Sequence, residues 1–147
     1  MREILFRGKR VATATFVHGF LVVSNDRTHN IVNENGNYWV MPDTVGQFTG
    51  LFDKRGVKIF EGDIVRVVST DYMGFDEIGK VEFQNGCFGV SYFPKWERKY
   101  GFGHWHFHRI GQVDKWQDMS ASGEMRYTYE IVGNIHDTPD LLEVKHE

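Results

Sequence analysis

The balance of β-branched and aromatic side chains over strong helix formers constrains this chain more than any other feature. Its 147 residues include 16 Val and 8 Ile against 5 Leu and 3 Ala, and aromatic residues make up 15%. Ala and Leu lose least on entering a helix, whereas branched and ring side chains suit a pleated, half-buried surface. The bias excludes a helical bundle, a coiled coil and a doubly wound α/β enzyme, and it predicts an all-β fold. With 41% hydrophobic and 25% charged residues, a chain of this length can bury a core without disulfides, and global disorder is excluded.

Turn signals divide the chain into short strands. Arg2 to Phe6 reads as a strand, and Phe16 to Val23 as a longer one in which Gly19 marks a bulge or a close backbone approach. Asn35-Gly36, ahead of Tyr38-Trp39-Val40, predicts a tight hairpin with that dipeptide at its centre. Pro42-Asp43-Thr44 then breaks the pattern. It divides the chain into a strand-and-hairpin segment, 1–42, and a second segment, 43–147. In the second segment, strands are predicted at Val45 to Phe52, Val57 to Phe60, Ile64 to Val68, Gly79 to Gln84, Cys87 to Tyr92, His104 to Ile110 and Tyr127 to Ile135. Asn85-Gly86 is a second hairpin signal, and Ser69 to Ile78 reads as a polar loop. Thr138-Pro139-Asp140 predicts a short helical turn near the C-terminus. Short strands joined by tight corners predict a small SH3-like β-roll or barrel, with Phe48, Phe60, Phe83, Phe88 and Phe93 filling its core.

Bulk properties narrow the function classes. Cys87 is the one cysteine, so a disulfide framework and a multi-cysteine metal cage are excluded. Apolar runs fall far short of the roughly 20 residues of a membrane helix, and the N-terminal segment lacks the apolar stretch of a signal peptide. A soluble cytoplasmic protein with no membrane partner is the expectation. A net charge of −3 gives no global pull toward nucleic acid or anionic lipid.

The stretch Thr44-Val45-Gly46-Gln47-Phe48-Thr49-Gly50-Leu51-Phe52-Asp53, continued by Gly56 and by Ile59-Phe60-Glu61-Gly62-Asp63-Ile64-Val65, resembles the signature of the YopX family. Arg2-Glu3-Ile4 with Phe6-Arg7-Gly8-Lys9 is similar to that family's opening. Glu130-Ile131-Val132-Gly133-Asn134-Ile135 with Pro139-Asp140-Leu141-Leu142 is similar to its close. The resemblance implies a phage or prophage protein acting in a bacterial host, with an SH3-type roll in its C-terminal part. It supplies no catalytic residues, and the region from Ser69 to about Tyr127 is where such proteins vary. Within the signature, Asp53 and Asp63 read as local caps of backbone N–H groups, and Glu61 with Asp63 as turn residues in preference to a catalytic dyad.

Two constellations stand outside the signature. His104-Trp105-His106-Phe107-His108 alternates, so on a strand three imidazoles share one face. Histidines two apart, about 6.7 Å along a strand, can converge on one metal, while the third lies about 13 Å from the first. His104 and His106 are the candidate ligands, and a third would have to come from His18, His29 or a carboxylate. The commoner outcome for such a row is a partly exposed face that charges toward pH 6, so no cofactor is expected.

The second is a basic, aromatic segment from Tyr92 to Ile110, where four cations face Glu97 in an otherwise acidic chain. Lys95, Trp96, Arg98, Lys99, Tyr100, Trp105 and Arg109 are its candidate binding residues. Tyr, Trp and Arg in proximity have the composition of a protein-interface hot spot, so a host or phage protein, or a second copy of the chain, is the first-choice partner. Single-stranded nucleic acid, read by stacking and phosphate contacts, is the second. No G-x-S-x-G elbow or P-loop is present, Gly101-Phe102-Gly103 lacks a third glycine, and nothing near Cys87 marks an activated thiol. The chain is not expected to be an enzyme.

Overall fold

The structure, a computed structural model, describes residues 2–71 and 74–143. It is all-β, built from two antiparallel sheets and a separate hairpin. The first sheet begins with β1 (Phe6–Lys9), β2 (Phe16–Val23), β3 (His29–Asn33) and β4 (Gly36–Val40), and is completed by β5 (Gly46–Phe52) and β6 (Lys58–Phe60). Its strand order is β4-β3-β2-β1-β5-β6. Strand β1 pairs with β2 on one side and β5 on the other, so strands from either side of Pro42 share this sheet. The second contains β7 (Asp63–Ser69), β8 (Phe75–Gln84), β9 (Cys87–Tyr92), β10 (His106–Arg109) and β13 (Thr128–Asn134), in the order β10-β9-β8-β7-β13. Strands β11 (Asp114–Gln117) and β12 (Ser122–Met125) form the hairpin. No helix among the described residues is long and apolar enough to cross a membrane.

The excess of Val and Ile is the core. Ile59, Val65, Val67, Val81, Val90, Ile110 and Tyr129 pack together, with Phe75, Tyr127 and Ile131 against them. Phe48 and Phe60 are buried as expected. Phe83 is exposed, and Phe88 and Phe93 are half-buried. The reason is position: Phe83 and Phe88 oppose each other beside the β8–β9 turn, where their rings pair edge to face at 5.0 Å outside the main core.

Three further expectations shift. Phe6 ends the strand expected at Arg2 to Phe6 but begins the one observed. Strand β8 starts at Phe75, inside the stretch read as a loop, because its first residues continue the ladder to Ser69. The β3–β4 turn centres on Glu34-Asn35, one residue before the Asn-Gly pair, and Asn33 Oδ1 accepts the Asn35 N–H at 2.8 Å. An Asx-type turn therefore replaces the expected one. Asn85-Gly86 does occupy the centre of the β8–β9 turn, with φ of 50° and 81°. Gly19 is a close approach, since a Cβ there would strike the Val32 carbonyl. The C-terminal turn, Pro139–Leu142, is 3-10; Thr138 accepts the Asn134 N–H with its hydroxyl and does not cap the turn.

The three signature-like blocks meet in space. Arg7, from the opening, donates to Asp63 at 2.7 Å, and both side chains are buried. The guanidinium also lies over the rings of Phe16 and Phe60. Asp63 accepts the Phe60 N–H at 2.8 Å, and Asp53 accepts N–H groups from Arg55, Val57 and Ile131. Lys54 pairs with Glu130 and Lys9 with Asp137. These residues hold sheets and corners together, as the capping reading of the two aspartates anticipates.

Candidate functional site

The basic aromatic segment is ordered around a short helix, α1 (Lys95–Lys99), in place of the extended approach to a strand. Pro94 precedes it with φ of −57°, Glu97 lies in its first turn, and Arg98 and Lys99 lie in its last, matching the helix dipole. Gly101, with φ of 74°, ends it in the left-handed conformation that glycine adopts without a Cβ penalty. Pro94 and Gly101 were the sequence signals for this helix.

The polarity of α1 is inverted. Glu97 is buried at 4% exposure, whereas Trp96 is 60% exposed and Tyr100 65% exposed. Positions four apart share a helix face, so Trp96 and Tyr100 point outward together, with Lys95 and Lys99 exposed beside them. Phe102 extends the surface, with its ring stacked 6.3 Å from Tyr100, and it is 65% exposed. Trp105, 52% exposed, packs edge-on against Phe93. Arg109 does not join them: it is exposed at the far end of β10, opposite Gly89 and beside the β8–β9 turn. The cations are not equally free: Lys95 Nζ lies 3.8 Å from Asp76, which also takes both hydrogen bonds of Arg66, and Arg98 is half-buried.

The inward side explains the burial of Glu97. One carboxylate oxygen accepts the His104 N–H at 2.9 Å, and the other meets His106 Nε2 at 2.9 Å. These bonds, led by that from the His104 backbone, hold the Glu97 carboxyl below its ordinary range. Gly103 allows the approach, since a Cβ there would collide with the Glu97 side chain. Diverting the His104 N–H to Glu97 also explains why β10 begins at His106 and not at His104 as the alternation suggested.

The three histidines separate accordingly. The rings of His104 and His106 stack at 4.3 Å, and Tyr92 stacks on His106 at 5.6 Å. Glu97, His104 and His106 offer ligand atoms all within 4.8 Å of one another. The third donor is thus a carboxylate from α1, while His18 packs on Phe60 and His29 bonds the Arg27 carbonyl in the other sheet. His108 turns into the core, where its Nε2 meets the Tyr129 hydroxyl at 2.7 Å. Burial pushes its pKa down to about 4, against a weaker opposing pull from Asp114.

Two other surfaces were not anticipated. Phe20, Val22 and Trp39 are exposed on one face of the first sheet, with Val22 and Trp39 both flanking Asn30. The continuous apolar run Phe20-Leu21-Val22-Val23 in β2, longer than one buried face needs, was the available sequence signal. A cleft of about 370 Å³ lies between the sheets, lined by Leu5, Arg7, His18, Val57, Lys58, Phe60, Asp63 and Ile131. Its buried charges satisfy one another through the Arg7–Asp63 pair.

The architecture defines an all-β protein whose exposed aromatic lobe is carried by a short helix at one end of the second sheet. The chain belongs to the YopX family: the family described as YopX protein matches residues 20–143. It is also similar in structure to protein EF1440 from Enterococcus faecalis, at 20% identity and a TM-score of 0.47, with 97% of this chain and 100% of that one covered. No match is found among curated proteins.

Proposed function

We propose that the chain is a non-enzymatic protein-binding module of a phage or prophage, acting in the cytoplasm of its bacterial host. Its docking surface is the lobe of Trp96, Tyr100, Phe102 and Trp105, rimmed by Lys95, Arg98 and Lys99. The observation that carries this reading is the inverted helix, with Glu97 buried and Trp96 and Tyr100 turned outward. Large rigid aromatics lose little side-chain freedom on contact, so they give a partner more apolar area per unit of ordering cost. The rim favours a partner whose own apolar patch is bordered by acidic residues.

Single-stranded nucleic acid is the weaker reading, because a strand needs a continuous basic groove along its backbone. Here Lys95 lies near Asp76, and Arg98 is half-buried. Capture from host lysate with and without nuclease separates the two: capture that survives nuclease supports the protein reading, and its complete loss supports the nucleic-acid one. Light scattering of the purified chain across a concentration series tests whether the partner is a second copy.

A further inference from the structure

The cluster beneath the lobe has donors of its own that docking does not use. We propose that Glu97, His104 and His106 form a binding site for one zinc ion, which clamps helix α1 to the start of β10. Two imidazole nitrogens and one carboxylate oxygen form a donor set that suits zinc, with a fourth position left to water. Among the described residues, no other group of three His, Cys, Asp or Glu side chains converges in this way.

The site is built and not merely crowded. Glu97 is nearly enclosed, and its second oxygen is fixed by the His104 N–H, the kind of outer hydrogen bond that orients a ligand. His106 is braced by the Tyr92 ring and already directs Nε2 at the carboxylate. The spread of up to 4.8 Å must contract, because tetrahedral ligands at about 2.0 Å from zinc lie about 3.3 Å apart. His104 can supply that movement, since it is exposed at the rim of the cluster, with its ring stacked on His106. Zinc would take the place of the hydrogen bond that joins His106 to Glu97. Trp96 adjoins one ligand in sequence and Trp105 lies between the other two, so the ion would fix the aromatic surface. The binding itself does not depend on whether that surface docks a protein.

The test is calorimetric titration of the full chain with zinc chloride. The expected result is one ion per chain, with at least tenfold weaker binding in His104→Ala and in Glu97→Gln. His29→Ala, in the other sheet, should bind as wild type does. His104 is exposed, so its variant folds and keeps the test decisive if Glu97→Gln does not. Absence of zinc-dependent heat in the wild type, or wild-type affinity in His104→Ala, would overturn the proposal.

Discussion

Protonation of His108 should destabilise this protein in a defined pH window. The ring is 4% exposed, packed among Phe75, Tyr127 and Tyr129. The Tyr129 hydroxyl accepts the Gly111 N–H at 2.9 Å and pairs with His108 Nε2 at 2.7 Å. Burial lowers the folded pKa to about 4, from an unfolded value of 6.5. Between these values the unfolded chain binds the proton and the folded one does not, so stability is complete above 6.5 and falls as pH drops toward 4. At 1.36 kcal/mol per unit, this costs about 1 kcal/mol by pH 5.5 and about 3 kcal/mol below pH 4. Other groups titrate in the same range, including His18 and His136, whose pKa values are also lowered chiefly by burial. The quantity to read is therefore the difference between wild type and His108→Phe in urea melts from pH 7.5 to pH 4.5. The variant loses the bond to Tyr129, a roughly constant cost of about 1 kcal/mol, and also loses the pH-dependent part. Its stability should converge on that of the wild type and overtake it as pH falls. Parallel curves for the two proteins would refute a neutral, buried His108.

Arg7→Ala should destabilise the chain by about 3 kcal/mol in urea denaturation, because it strands the buried Asp63 carboxylate; a loss under about 1 kcal/mol would show that the pair does not join the sheets. Gly79→Ala should cost about 2 kcal/mol or more in thermal unfolding, since its Cβ would meet the Ser91 carbonyl and Val90 in the neighbouring strand; an unchanged Tm would contradict the close β8–β9 approach. Trp96→Ala and Trp105→Ala should each change stability by less than about 1 kcal/mol, as exposed side chains away from the core do; larger losses would make both residues structural.

Most strands were legible because turn chemistry and β-branched runs agree along the chain. Asn85-Gly86 and the run Ile64-Val65-Arg66-Val67-Val68 were read where they occur. The core was misjudged in part, since phenylalanines look like the bulkiest core residues while Val65, Val67, Val81 and Val90 fill that role. Phe83 could not be placed from sequence, because only its position opposite Phe88 at a hairpin tip exposes it. At the candidate site, the aromatic surplus is legible in sequence but α1 is not: five helical residues give too little periodicity to stand out from an alternating background. In the sequence Glu97 is only a local countercharge. Its role as the buried partner of His104 and His106 depends on the helix folding back over β10, and no spacing rule conveys that.

The docking surface is the central claim, and variant capture tests it most directly. Wild-type chain, Trp96→Ala/Trp105→Ala and Trp39→Ala would be compared as baits in nuclease-treated host lysate, with bound proteins quantified by mass spectrometry. The account predicts that a discrete partner is retained by wild type and Trp39→Ala and lost from the folded double variant. Equal retention by the double variant, or loss with Trp39→Ala alone, would place the surface elsewhere and contradict it.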